Sequence, residues 1–290
     1  MSKPLFFSVV IPTYNREKFI LKTLETVFSQ TYPHYEVIVV DNCSTDKTEE
    51  VLAPLIDSGK VRFIKHEENF ERARSRNTGM ENARGDFLTF LDSDDFMYPS
   101  NLQDAARFAE EYPEFKFFHC LYELVNEEGE PIYHYRFPSL DDRLRAIVAG
   151  NFLSCIGTFL HKGIYSKYRF DTFPELSGGE DWEFWLRIMA DHPIGRINNI
   201  NGALVHHSGR SINNQSIEGM RVGLAYLVDK FQNDKHLSNV YRKYLPRIEA
   251  NCFLYLNLLA NDAEQNEKAF YFLRMALRKD RSVFFTTRFL

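Results

Sequence analysis

Asp92, Asp94 and Asp95 fall within four positions of the stretch GDFLTFLDSDDFMYPS, Gly85 to Ser100. The apolar first half of that stretch has the length of a buried strand. Three like charges at the end of such a strand repel one another, so each costs free energy unless something positive answers it. Alternate residues in an extended or turning segment can aim two carboxylates at one spot. Hard oxygen ligands of this kind suit Mg²⁺ or Mn²⁺. A divalent ion would answer the repulsion and would also bind a diphosphate. A solvated acidic turn would use the same residues, and Asp95 and Ser100 have the character of local capping residues.

Other residues suit the same chemistry. Asp41 ends the apolar run YEVIVVD, where a carboxylate can accept hydrogen bonds from a nucleoside or ribose; DNCSTD is also rich in turn formers. RARSRNTGMENAR carries Arg72, Arg74, Arg76 and Arg84. These cannot all share one helical face, so some could point at the aspartates, where phosphate would attract them, and the rest form a solvated basic face. SGGEDWEFWLRIMADHP places Glu180 and Asp181 at the start of an amphipathic helix with Trp182, Trp185, Leu186 and Met189 as its buried stripe. Acids in a first turn are favoured by the helix dipole, and one held rigidly there could act as a general base. His206 and His207 are neighbours in LVHHSGRS. On a strand they face opposite ways, so at most one naturally faces a site, where a neutral imidazole could join a carboxylate as metal ligand.

The elements that must position these groups alternate. FFSVVIP is a strand run ended by Pro12. Asn15 is placed to cap a helix with Ile20, Leu24, Val27 and Phe28 on one face. Tyr35–Asp41 is a second strand, STDKTEEVLAPLI a capped helix, and KVRFIKH a third strand. ERARSRNTGMENA is helical, Asp86–Leu91 a strand, and a helix follows Pro99. FHCLYELVNEEGEPIYHYRF reads as a hairpin turning at NEEGE, with Tyr133, Tyr135 and Phe137 able to stack on sugar or to pack across strands. This alternation implies an α/β fold with a mostly parallel sheet, in which ligands bind at the carboxyl ends of strands. Beyond Asn214 the strand signals stop and three helical stretches follow, with Ala269, Phe270, Leu273 and Ala276 at helical spacing.

The 290 residues are 44% hydrophobic, with 26 Phe and 15 Tyr, ample for a large core. A formal charge of −5 argues against a nucleic-acid binder. No apolar run reaches the roughly 20 residues that span a bilayer. The first residues make a poor signal peptide, and the four scattered cysteines (Cys43, Cys120, Cys155, Cys252) read as reduced thiols, so a cytoplasmic setting is expected. Arg274, Arg278, Lys279, Arg281 and Arg288 mix with Phe284, Phe285, Phe289 and Leu290 near the end of the sequence. That mixture suits an anionic membrane surface or an ordinary packed helix.

In this order, VVIPTYNREKFILKTLETVFSQTYPHYEVIVVDNCSTDKT, SRNTGMENARGDFLTFLDSDD, GGEDWEFWLR and HHSGRS resemble the large family 2 of inverting, nucleotide-sugar-dependent glycosyltransferases, over roughly residues 5–213. The resemblance implies a GT-A, Rossmann-like fold, a catalytic domain over 1–213 and a helical extension over 214–290. It implies that Pro12, Thr13, Tyr14 and Asp41 hold the nucleoside base, with Arg76 and Asn77 near the nucleotide. Asp92, first acid of the DxD motif, contacts the ribose or reaches the metal through water. Asp94 is the direct ligand of Mg²⁺ or Mn²⁺, His206 or His207 joins it, and Asp181 is the catalytic base. The implied donor is a nucleoside-diphosphate sugar, UDP favoured. The implied acceptor is a glycan or a lipid-linked molecule, in surface polysaccharide or glycolipid assembly. Three positions depart from the pattern: Cys43 replaces a turn glycine, Glu71 replaces a glycine two residues after Asn69, and Ser75 replaces the alanine before Arg76-Asn77. The alternative is a non-catalytic nucleotide-sugar binder or assembly partner, against which the full set Asp41, Asp92, Asp94, Asp181 and histidine argues. A sugar nucleotidyltransferase would carry a Gly-rich basic loop where this chain has PTYNRE.

Overall fold

The computed structural model describes residues 3–208 and 216–285. The chain divides into two compact units, one comprising Met1–Phe137, Leu153–Phe170 and His192–Arg210, the other Pro138–Phe152, Asp171–Asp191 and Ser211–Leu290. The expected domain boundary at residues 213 and 214 lies outside the described residues.

The first unit is built on one nine-stranded sheet: β1 (Phe7–Thr13), β2 (Tyr35–Asp41), β3 (Arg62–Lys65), β4 (Phe87–Phe90), β5 (Phe96–Met97), β6 (Phe117–Val125), β7 (Pro131–His134), β8 (Thr158–His161) and β9 (Gly195–Val205). The order is β3-β2-β1-β4-β8-β6-β9-β5, with β7 on β6. The expected α/β architecture is borne out, and the sheet is mixed. β3, β2, β1 and β4 are parallel, as βαβ alternation requires. β8 runs antiparallel between β4 and β6, and β6–β7 is the expected hairpin. The order 3-2-1-4 is that of one half of a doubly wound sheet, whose crevice opens outside the carboxyl ends of its strands.

Pro12 lies inside β1 rather than ending it, paired with Val40. The β4 ladder reaches only Val10, where Leu91 N–H donates to the Val10 carbonyl at 3.0 Å. Proline's missing N–H therefore falls past the last bond on that side.

Helices cover the parallel strands: α1 (Ile20–Phe28), α2 (Thr48–Asp57), α3 (Glu71–Asn82) and α4 (Asn101–Glu111), with the short α6 (Lys162–Tyr165) later in the unit. Ile20, Thr23, Leu24 and Val27 are the buried face of α1, at the spacing of a helical stripe. Asn15 does not cap this helix. It sits at φ 52°, and its side chain instead accepts the Thr45 N–H at 2.8 Å, tying the loop after β1 to the loop after β2. At Gly79, α3 approaches β1 so closely that a Cβ would stand 2.1 Å from a Val10 methyl.

The second unit holds α5 (Arg143–Val148), α7 (Glu180–Asp191), α8 (Ile217–Asn233), α9 (Lys235–Val240), α10 (Leu245–Asp262) and α11 (Asn266–Lys279). Trp182, Trp185, Leu186 and Met189 are buried, as the stripe predicts. Glu183, fully buried on the same helix, is paired with Arg187 at 2.5 Å and with Lys230 of α8 at 2.7 Å.

Candidate active site

β4 delivers Leu91, and the chain turns at once. Asp95 N–H donates to the Asp92 carbonyl at 3.1 Å, closing the turn. The three carboxylates then part company. Asp92 takes the Arg76 guanidinium at 2.9 Å. Asp94 takes Arg16 Nε at 3.1 Å. Asp95 is fully buried and is not a helix cap; its Oδ1 accepts the Val205 N–H at 2.9 Å. Two arginines and a backbone amide thus answer the repulsion that the sequence raises.

The Asp95–Val205 bond has a second effect. It fastens the end of β9 to the acidic turn, two residues before His207. His207 lies 3% exposed with its Nε2 3.1 Å from Asp94 Oδ2. Phe19 stacks on its ring at 4.4 Å between centroids. His206 points away and is exposed, its backbone N–H donating to the Val125 carbonyl at 2.7 Å. Of the two histidines, His207 is therefore the one that meets Asp94.

Arg76 is 2% exposed and lies over Phe170, 5.4 Å from the ring centroid. Removing Asp92 would take an acceptor from a desolvated guanidinium, a loss of about 3–5 kcal/mol in comparable buried pairs, whereas Asp92 itself keeps 29% of its side chain exposed. Asn77 bonds with both ends of its amide to the Phe170 backbone, at 2.8 and 2.9 Å, and so fixes the segment that carries the ring under Arg76.

The expected nucleoside end lies at the tips of β1 and β2. Pro12 and Thr13 are buried, and among the described residues the Thr13 hydroxyl meets no hydrogen-bond partner. Tyr14 is 40% exposed. Asp41 is fully buried, and its carboxylate accepts the N–H and the hydroxyl of Ser44. Cys43 in the same turn adopts φ 66°, and Glu71 adopts φ 68°. Both departures from the glycine pattern therefore keep the left-handed backbone that glycine would supply.

In the second unit, Asp181 stands half-buried in the first turn of α7. Its Oδ2 accepts from Asn151 Nδ2 at 3.0 Å and its Oδ1 from the Trp182 N–H at 2.7 Å. Gly178, at φ 90°, makes the turn that starts the helix. Arg16, Phe19 and Asn151 are the contacts that the sequence reading missed. Arg16 lies in the PTYNRE loop and had a charge to signal it; Asn151 had no local signal.

The donors at Asp94 fit a divalent cation of the Mg²⁺ type. A hard carboxylate oxygen and an imidazole nitrogen converge, and such ions commonly take one or two protein ligands and complete their shell with water and substrate phosphate. Among the described residues no third His, Cys, Asp or Glu joins them in a metal cluster. No helix among the described residues is long and apolar enough to cross a membrane. Of the basic–aromatic segment, Lys279 pairs with Glu249, Val283 is buried and Phe284 is 56% exposed. The Phe285 side chain, Arg288, Phe289 and Leu290 lie outside the described residues.

Residues 8–164, more than half of the chain, match the family described as Glycosyl transferase family 2. The chain belongs to glycosyl transferase family 2. An uncharacterized glycosyltransferase of Rickettsia felis is 27% identical over 285 residues, covering 98% of this chain and 46% of the relative. The chain thus spans about half the length of that curated relative. The solved structure of S. aureus TarS 1–349 in complex with UDP-GlcNAc has a TM-score of 0.66 at 20% identity, covering 96% of this chain and 92% of that one. The mannosyltransferase PcManGT of Pyrobaculum calidifontis, solved with GDP-Man and Mn²⁺, has a TM-score of 0.64 at 16% identity, covering 99% and 77%. At these identities the structures show a shared fold. The family 2 match ends before Asp181 and His207.

Proposed function

We propose that this family 2 chain is a glycosyltransferase that moves a sugar, with inversion, from a nucleoside-diphosphate sugar to an acceptor hydroxyl. The observation that carries the reading is the meeting of Asp94, His207 and Arg16 beside the Asp92–Arg76 pair, at the carboxyl end of β4. Acids and arginines in that place suit a diphosphate with its counter-ion. UDP is the proposed nucleoside diphosphate, supported by the UDP-GlcNAc complex of TarS; the GDP-Man complex of PcManGT makes GDP the competitor to test.

Asp94 and His207 would hold Mg²⁺ or Mn²⁺. When bound, the ion supplies charge neutralisation and Lewis acidity at the departing diphosphate. Arg76, locked over Phe170, keeps Asp92 oriented for the ribose or for water around the ion. Pro12, Thr13, Tyr14 and Asp41 would face the nucleoside, and Asn77 would act through Phe170 and Arg76.

Asp181 is the proposed base. Its carboxylate takes the proton of the acceptor hydroxyl as that oxygen forms a bond to the anomeric carbon. The bond from that carbon to the diphosphate oxygen breaks, and its electron pair leaves with the nucleoside diphosphate. Attack comes from the face opposite the leaving group, so the configuration inverts and no covalent enzyme intermediate forms. Asn151 and the Trp182 N–H hold both carboxylate oxygens, fixing the base.

The acceptor is proposed to be a glycan or lipid-linked glycan of surface polysaccharide assembly, with peripheral membrane contact through the last basic and aromatic residues. Release of free UDP from UDP-sugar, followed by anomeric analysis of the product, tests the reading. Hydrolysis or transfer with retained configuration would contradict it.

A further inference from the structure

The nucleoside end carries two exposed aromatic rings. Tyr14 is 40% exposed and Phe70 is 41% exposed. One such ring on a surface is ordinary. Two rings rooted on one buried residue, with one of them held in place, call for a reason. That residue is Asn42, buried just past the end of β2. Its N–H donates to the Thr13 carbonyl at 2.8 Å, immediately before Tyr14. Its Oδ1 accepts the Phe70 N–H at 3.0 Å. Its Nδ2 donates to Asn69 Oδ1 at 2.6 Å, and that oxygen also accepts the Glu71 N–H at 3.1 Å. Asn42 thus sets the backbone beneath both rings.

The Phe70 ring is itself held. His66 meets it edge to face, with 5.5 Å between centroids. His66 is fixed in turn, its Nδ1 facing Asn42 Oδ1 at 3.1 Å and its Nε2 facing Thr78 Oγ1 at 2.9 Å. The Arg74 guanidinium lies over the Phe70 ring, 5.9 Å from its centroid. A ring held by a backbone bond, an imidazole and a cation keeps its orientation while part of its apolar surface stays in water. Leaving that surface wet costs free energy, and a ligand that covers it recovers the cost.

The spacing suits a flat ligand. β2 lies between β3 and β1 in the sheet. Tyr14 leaves the tip of β1, and Phe70 packs on His66, the residue after β3. The two strand tips that flank β2 are two strand spacings apart, roughly 10 Å. A planar ring stacked between two others needs about 4.5–7 Å to each centroid, or about 9–14 Å in all.

We propose that Phe70 is a base-stacking residue that forms, with Tyr14, a clamp on the nucleobase of the donor, and that Asn42 positions both rings. This rests on the nucleotide reading of the strand tips.

Calorimetry at saturating Mn²⁺ with two probes separates base from phosphate: UDP, and inorganic pyrophosphate, which carries no base. Phe70→Ala and Phe70→Leu are expected to bind UDP about 5–150-fold more weakly than wild type, and pyrophosphate within about twofold of it. Phe70→Leu keeps apolar bulk on the loop and lacks the π face. Phe70→Trp keeps that face and should bind UDP within about threefold of wild type. Its added emission should be quenched by UDP and not by pyrophosphate; wild type, whose Trp182 and Trp185 are buried, supplies the background. UDP binding by Phe70→Ala and Phe70→Leu equal to that of wild type overturns the clamp and leaves the nucleotide reading standing. Pyrophosphate weakened as much as UDP also overturns it, because the loss then belongs to the loop and not to the base. Failure of wild type to bind UDP, GDP or dTDP overturns the nucleotide reading, and the clamp with it.

Discussion

Asp92, Asp94 and Asp95 are chemically alike and within four positions, yet each has a different partner: a buried arginine, a more exposed arginine beside a histidine, and a backbone amide. Environment separates their roles. Asp95 positions, because it is fully buried and holds Val205. Asp94 is the acid on which a guanidinium and an imidazole meet at one oxygen. Asp181 has a rigid setting of its own, with a hydrogen bond on each oxygen. Asp181→Asn keeps that shape and removes the base. Transfer should fall by about 10²–10⁴-fold, while UDP affinity stays within about twofold in calorimetry. Substantial residual transfer would remove Asp181 from the role. The acids and His207 were legible as types and spacings. Arg16 as their partner was not, because 78 positions separate it from Asp94 and only the parallel pairing of β1 with β4 brings them together.

The elements explain why the site lies where it does. β1 and β4 end side by side, so the PTYNRE loop and the acidic turn emerge as neighbours. The parallel half of the sheet was legible because strands buried on both faces read as continuous apolar runs between helical stretches. β8 and β9 were harder to read: β8 is four residues long, and β9 carries the polar run Asn198-Asn199 within it. The misreading of Asn15 as a cap has a physical cause, since the residue types that cap helices also hold loops together. Two turns keep a left-handed backbone without glycine, at Cys43 and Glu71. An L-residue there costs roughly 1–2 kcal/mol. Cys43→Gly and Glu71→Gly should therefore each raise stability by roughly 0.5–1 kcal/mol in urea unfolding, the gain being reduced by the greater freedom of glycine in the unfolded chain. Cys43→Ala keeps the strained conformation and should show no gain. A loss of stability in both glycine variants would contradict the strain account.

For the molecule as a whole, one buried base adds to acid sensitivity. His119 is 1% exposed; burial first, and then the neighbouring Arg196 guanidinium, bring its pKa down to about 3. Its Nδ1 faces the Cys120 carbonyl at 3.0 Å, and its Nε2 accepts from Arg196 Nε at 3.0 Å. The folded protein keeps this imidazole neutral where the unfolded chain, with an ordinary value of 6.5, takes up a proton. The unfolded state binds more protons between those values, so stability is retained above about pH 6.5 and falls as pH drops toward 3. His119→Leu should lower stability at pH 7 and flatten its decline from pH 6.5 to 4, read as urea midpoints across that range. An unchanged slope would place the acid sensitivity elsewhere.

The central claim is that the acidic turn after β4 is a metal–diphosphate site. Calorimetric titration of UDP, with GDP and dTDP alongside, into wild type and Asp94→Ala, with Mn²⁺ and with chelator, tests it most directly. Binding of UDP by wild type that requires Mn²⁺ and is lost in Asp94→Ala is the expected result. Equal binding by both proteins, or binding indifferent to chelator, would contradict it.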